Sequence, residues 1–118
     1  MTFTTDQRDE FARHTTIDIT TFGRRSGLPR RMEIWWFRVE DRFIITGTPG
    51  RRDWLANIRA NPRLVVHVAG NDLEATASFV EDRQFRRTVF TQPHTSWYRT
   101  QEQLDELVAS APMIEVHF

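Results

Sequence analysis

The chain has 118 residues, enough for one domain that buries roughly two-thirds of the surface its unfolded form exposes. Its 16 basic and 16 acidic residues cancel, which argues against a general nucleic-acid binder; 39% hydrophobic and 27% charged residues are the proportions of an ordinary globular protein. Cysteine is absent, which excludes disulfides, thiolate chemistry and cysteine-held metal centres, and every basic residue is arginine, which excludes Schiff-base and lysine general-base mechanisms.

No apolar run approaches the roughly 18 residues that a membrane span requires, and the polar start has no signal-peptide shape, so the expected location is the cytoplasm. His14, His67, His94 and His117 stand alone, without the close spacing of a metal site.

Asp6 to His14 has the pattern of a short amphipathic helix with Asp6 as N-cap. β-Branched and aromatic residues then predict strands near 15–23, 30–39 and 42–48, a meander with turns in Arg24 to Pro29 and at Glu40-Asp41. Trp54, Leu55 and Ile58 lie at helical spacing from Asp53, and Asn61-Pro62 stops that helix. Leu64 to Val68 and Leu73 to Val80 form a second hairpin around Gly70-Asn71. Helices follow over Asp82 to Thr91 and Gln101 to Ala109, separated by a loop from Gln92 to Arg99. The alternating Met113 to Phe118 returns as a sixth strand.

Pairing strands one and two across their loop sets Ile17 opposite Trp36, Ile19 opposite Ile34, Thr21 opposite Met32 and Asp18 opposite Trp35. Turning strands two and three at Glu40-Asp41 sets Trp36 opposite Ile45, so both hairpins agree on the core face. Arg24, Arg25, Arg30 and Arg31 from the first loop and Arg51 and Arg52 from the second then converge at one end of the sheet. Such a cluster calls for an anion or for local carboxylates, here Glu33 and Asp53, to offset its repulsion. The second loop also opens a helix, whose free N–H groups add to the attraction for phosphate or carboxylate, and glycines at 23, 27, 47 and 50 admit a bulky anion. For any single arginine a solvated rim is the plainer reading; for the set, an anionic-cofactor site is preferred.

Thr21-Phe22-Gly23-Arg24-Arg25-Ser26-Gly27-Leu28-Pro29-Arg30, then Gly47-Thr48-Pro49-Gly50-Arg51-Arg52-Asp53-Trp54-Leu55-Ala56-Asn57 and Asn61-Pro62-Arg63, resemble the nitroreductase/quinone-reductase family that uses the deazaflavin coenzyme F420. The resemblance covers about positions 15 to 70. It implies a mainly β, six-stranded split β-barrel related to the pyridoxamine-phosphate oxidases, with short peripheral helices and the cofactor in a groove beside the barrel. It implies that Arg24, Arg25, Ser26, Gly27 and Arg30 hold the anionic tail and that Thr46, Gly47, Thr48, Pro49, Gly50, Arg51 and Arg52 line the groove. The activity implied is hydride transfer from the reduced deazaflavin to a small quinone, nitro or enone-type acceptor, the deazaflavin carrying the electron pair. Basic positions that many members fill with lysine are arginine here, and of the late aromatic residues that shape the substrate pocket only Trp97 and Tyr98 have obvious counterparts.

Trp54 either stacks near the cofactor or packs in the core, and its spacing from Ile58 favours the core. Asn57 is either a helix-surface residue or a hydrogen-bond anchor for the loop below it. Tyr98 either donates a proton to the reduced product or caps the barrel. Trp35, on the mixed face with Phe37, covers either a cofactor ring or, preferably, the partner in a homodimer. Asp18 and Glu33 neutralise nearby arginines. The nearest rival cofactor is FMN, which also offers a phosphate and a tricyclic ring; a rival of another class is a non-catalytic carrier of an anionic or apolar ligand.

Overall fold

In the computed structural model, which describes residues 16–118, six antiparallel strands close into a barrel in the order β1-β2-β3-β6-β5-β4. They are β1 (Thr16–Phe22), β2 (Pro29–Val39), β3 (Arg42–Thr46), β4 (Arg63–Val68), β5 (Asn71–Phe79) and β6 (Met113–His117). Among the described residues four short helices surround them: α1 (Asp53–Ala60), α2 (Arg83–Phe90), α3 (Ser96–Gln101) and α4 (Leu104–Ser110), with a 3-10 turn at Pro93–Thr95. The helix expected over Asp6 to His14 lies outside the described residues.

Alternation divides each strand between two apolar compartments. Ile17, Ile19, Ile45, Leu64, Val66 and Ile114 fill the barrel interior, where Trp54 and Ile58 of α1 join them and close one end. On the outside, Phe37, Val39, Ile44 and Met113 are covered by Phe85, Val89 and Phe90 of α2 and by Leu107 and Val108 of α4. β2 therefore serves both cores, and its run Ile34-Trp35-Trp36-Phe37 needs apolar residues of both parities.

The core face is the one expected, but the register of β1 on β2 differs. Ile17 lies opposite Ile34, Ile19 opposite Met32, Thr21 opposite Arg30 and Asp18 opposite Glu33, a slip of two residues that preserves the faces. The cause is a tighter loop: Gly23 N–H donates to Leu28 O and Gly27 N–H to Gly23 O, both at 2.8 Å, so Phe22 already pairs with Pro29. The Trp36–Ile45 pair is observed as expected, with Glu40 and Asp41 both at positive φ in a two-residue turn.

The second hairpin turns at Ala69 and Gly70, with φ of 49° and 76°, rather than at Gly70-Asn71; Asn71 already pairs with Val68. The expected loop from Gln92 to Arg99 holds the 3-10 turn and α3 instead. Ser96-Trp97-Tyr98-Arg99-Thr100-Gln101 has no amphipathic period to announce a helix, and what seats it is Tyr98, buried in the outer core.

Three polar devices brace the frame. Arg86, 8% exposed, donates to the carbonyls of Val108 (2.6 Å), Val80 (2.9 Å), Ala111 (2.5 Å) and Leu107 (3.5 Å), thereby tying the C-terminal end of α4 to the segment after β5. Thr20, His67 and Asp72 form a chain with Thr20 Oγ1 2.6 Å from His67 Nε2 and Asp72 Oδ1 2.7 Å from His67 Nδ1, along the β1–β4 seam that closes the barrel. Thr46 Oγ1 donates to Pro112 O at 2.5 Å, fixing the end of β3 against the entry to β6.

Candidate functional site

Loop one (residues 23–28) joins β1 to β2, and loop two (47–52) joins β3 to α1. Loop one is held to α1 by the buried Asn57, whose Oδ1 accepts from Arg24 N–H at 3.1 Å and from Arg24 Nη1 at 3.2 Å. Its Nδ2 donates to Thr21 Oγ1 at 3.3 Å. Asn57 is thus the loop anchor. Asp53, as expected, neutralises an arginine: Arg24 Nη2 lies 3.6 Å from it.

The six arginines are partnered in different ways. Arg31, at the outward parity of β2, donates to Asp18 at 2.9 Å, so Asp18 rather than Glu33 offsets it. Arg24 is committed to α1. Arg52 turns back along its own loop, where Nη2 donates to Thr48 O and Thr48 Oγ1, each at 2.8 Å, and Nη1 to Arg51 O at 3.0 Å. Arg25, Arg30 and Arg51 are exposed, and their guanidinium groups have neither hydrogen bond nor ion pair among the described residues. The repulsion expected of six is relieved internally for three, and three donors remain for a ligand.

Loop backbone leaves room for one. Gly27, at φ 70°, has nothing within 4 Å of where a side chain would begin. Gly50, at φ 136°, could carry no other residue without strain, and a Cβ there would meet Arg52 Nη1 at 3.0 Å. Gly47 packs beside Pro112 and Arg52. Ser26 Oγ accepts from Leu28 N–H at 3.1 Å, which keeps its own hydrogen for another acceptor. Arg52, the N-cap of α1, makes no side-chain capping bond, so the first-turn amides of that helix lack a side-chain partner.

Trp35 of β2 and Trp97 and Tyr98 of α3 form an aromatic wall. Trp35 and Trp97 meet edge to face at 5.3 Å, both substantially exposed at 41% and 46%. Tyr98 lies beneath them, 6.1 Å from Trp35 and 5.7 Å from both Phe37 and Phe90. Burial pushes the Tyr98 hydroxyl up to about 12, while the Arg52 charge pulls it the other way, so the phenol stays neutral through the physiological range. Thr46 follows Ile45, the partner of Trp36, on the outward face that carries Trp35.

Of the residues singled out in the sequence, the structure thus joins Arg24 and Asn57 directly, and Arg52 to Thr48. Trp54 is removed from the set: 5% exposed inside the barrel, it is core, as its spacing from Ile58 favoured. Pro49 lies half-buried within loop two. The Trp35–Trp97 contact was not visible in the sequence, because α3 was not. Arg86 was also missed, although its place in the apolar stripe of Phe85, Val89 and Phe90 was a signal.

With no metal-binding group of three or more acidic or histidine side chains among the described residues, the site's chemistry is that of guanidinium groups, backbone amides and aromatic rings. No helix of the described residues is long and apolar enough to cross a membrane.

Comparison with known proteins places this site in context. A solved F420-H2 dependent reductase shares 19% identity at a TM-score of 0.64, covering 88% of this chain and 95% of that one. A Clostridium acetobutylicum protein of the pyridoxinephosphate oxidase family shares 11% identity at a TM-score of 0.72, covering 95% and 80%. A structure described as a domain-swapped dimer shares 20% identity at a TM-score of 0.65, covering 88% and 81%. These likenesses show the pyridoxamine-phosphate-oxidase-like split barrel. The family model for F420H2-dependent quinone reductases matches residues 5–107, and the chain belongs to that family, an oxidoreductase family whose cofactor is coenzyme F420.

Proposed function

We propose that the chain binds reduced F420 along loops one and two and passes its hydride to a small quinone, nitro or enone-type acceptor held near Trp35 and Trp97. The observation that supports this best is the set of three guanidinium groups without a partner among the described residues, Arg25, Arg30 and Arg51, flanking loops already pinned by Asn57 and by the Arg52–Thr48 contact. A phosphate-containing, multiply charged tail needs donors of that kind, and arginine offers two parallel N–H groups to each pair of oxygens. The deazaflavin supplies the hydride when bound.

The protein's share of the work is positioning. Asn57 fixes loop one relative to α1, Gly27 and Gly50 leave backbone accessible to the tail, and the uncapped first turn of α1 favours a nearby anion. Trp35 and Trp97 offer ring faces and edges against which planar groups pack. The Tyr98 hydroxyl, neutral and without a hydrogen-bond partner among the described residues, holds a proton available to the reduced acceptor.

The test is single-turnover oxidation of reduced F420 by menadione, followed at the absorbance of the oxidised deazaflavin. Saturable, enzyme-dependent oxidation is expected; no oxidation beyond the uncatalysed rate, with the cofactor bound, would leave a carrier rather than a reductase.

A further inference from the structure

A second pocket, of about 410 Å3, lies between α1, the end of β5, α2 and the segment after α4. Its floor is carbon: Leu55, Phe79, Val80, Val108 and Met113 line it, and of these Val80, Val108 and Met113 are at most 5% exposed. Its polar groups are unbalanced. Arg59, Arg83 and Arg86 face a single carboxylate among the lining residues, that of Glu81.

Among the described residues, none of the three is neutralised by a carboxylate. Arg59 stacks its guanidinium 4.5 Å over the Phe79 ring, a geometry that leaves the in-plane N–H groups free, and neither it nor Arg83 has an ion pair among the described residues. Arg86 is buried with its charge intact. A guanidinium carries five N–H groups, and the four carbonyl contacts of Arg86 use the Nε hydrogen, both on Nη2 and one on Nη1, so one Nη1 hydrogen is left over. The Arg83 charge is close enough that it, after burial, pulls the Arg86 guanidinium below its ordinary range. Two like charges held together beside a spare buried donor is an arrangement that an anion relieves.

We infer that this pocket is a binding site for a small amphiphilic anion, a carboxylate or similar head group on a short apolar chain. The head group sits among Arg59, Arg83 and the free Nη1 hydrogen of Arg86, and the chain lies on the Leu55, Phe79 and Met113 floor. The volume suits a ligand of about ten heavy atoms, within the usual range for small-molecule pockets. Leu55 and Arg59 are one turn apart on α1, and Asn57, which holds loop one, is on another face of that helix. Arg25, Arg30 and Arg51 are not among the residues that line the pocket, which meets loop two at Gly50.

The probe is octanoate, titrated into the isotope-labelled full chain and followed by the arginine Nε–H and valine and methionine methyl resonances. Saturable shifts at Arg59, Arg83, Val108 and Met113 are expected. Octanamide, which keeps the chain and lacks the charge, and the exposed double variant Arg59→Gln/Arg83→Gln are each expected to bind at least roughly tenfold more weakly, the worth of one charge-assisted contact. Arg25→Gln/Arg51→Gln is expected to leave octanoate binding unchanged. Equal binding of octanamide, equal binding by the Arg59/Arg83 variant, no saturable shift, or loss of binding in the Arg25/Arg51 variant would each overturn the inference, and none of them bears on the cofactor reading.

Discussion

One carboxamide oxygen, that of Asn57, accepts from both the backbone N–H and the guanidinium of Arg24, 33 positions earlier in the chain. A loop that would otherwise sample many conformations is thereby tied to the first turns of α1, beside the arginines proposed to hold the cofactor. Replacing Asn57 with alanine leaves the half-buried Arg24 amide and the buried Thr21 hydroxyl without this partner, at a cost of about 1–3 kcal/mol. Urea unfolding of Asn57→Ala is expected to show that loss together with weaker F420 binding. An unchanged midpoint and an unchanged affinity would contradict the anchoring role.

Tyr98 offers a spectroscopic prediction, because it is the only tyrosine in the chain. Its hydroxyl is raised to about 12 by burial, whereas in the unfolded chain it ionises near 10. Tyrosinate absorbance is expected to rise with a midpoint near 12 in the native protein and near 10 in urea. The linked effect on stability has a definite sign. Below pH 10 both states keep the proton and nothing is lost; between about 10 and 12 only the unfolded state releases it, so stability falls as pH rises. Tyr98→Phe is expected to lack that part of the alkaline loss. A native midpoint near 10 would mean that the phenol is solvated.

Arg86 is the frame's most demanding polar residue. Arg86→Met removes the donor for carbonyls of Val80, Val108 and Ala111 at once, and an expected loss of about 3 kcal/mol or more follows from buried acceptors left unpaired. Arg86→Lys is expected to recover little, since a point ammonium cannot reach three directions. A loss below about 1 kcal/mol in denaturant unfolding would contradict the bracing role.

The barrel was legible in the sequence because its strands alternate over long stretches: Ile17 and Ile19, Ile34 and Trp36, Ile45, and Met113 to Val116 all obey period two. Even a two-residue error in the register of β1 on β2 left every side chain on its correct face. What escaped is set by tertiary packing. α3 is six residues long and is held by Tyr98 against α2, with no pattern of its own, so the Trp35–Trp97 wall that depends on it stayed hidden. Treating the six arginines as one charge cluster left out strand parity, which turns Arg31 outward to Asp18. It also ignored the reach of the arginine side chain, which lets Arg52 fold back to Thr48.

The role of the remaining arginines is testable one step further. Arg52→Ala is expected to loosen loop two by removing its contacts to Thr48, lowering cofactor affinity without loss of the fold. Arg25→Ala and Arg30→Ala touch no partner among the described residues, so they are expected to leave the thermal midpoint nearly unchanged while weakening cofactor binding roughly 10- to 100-fold each. Destabilisation with intact affinity would assign them to the fold instead.

The most direct measurement is a side-by-side fluorescence titration of the full chain with oxidised F420 and with FMN, repeated on Arg25→Ala/Arg30→Ala. Saturable F420 binding, at least roughly tenfold tighter than FMN and strongly weakened in the double variant, is predicted. FMN binding as tightly as F420, or neither cofactor binding to the folded protein, would contradict the account.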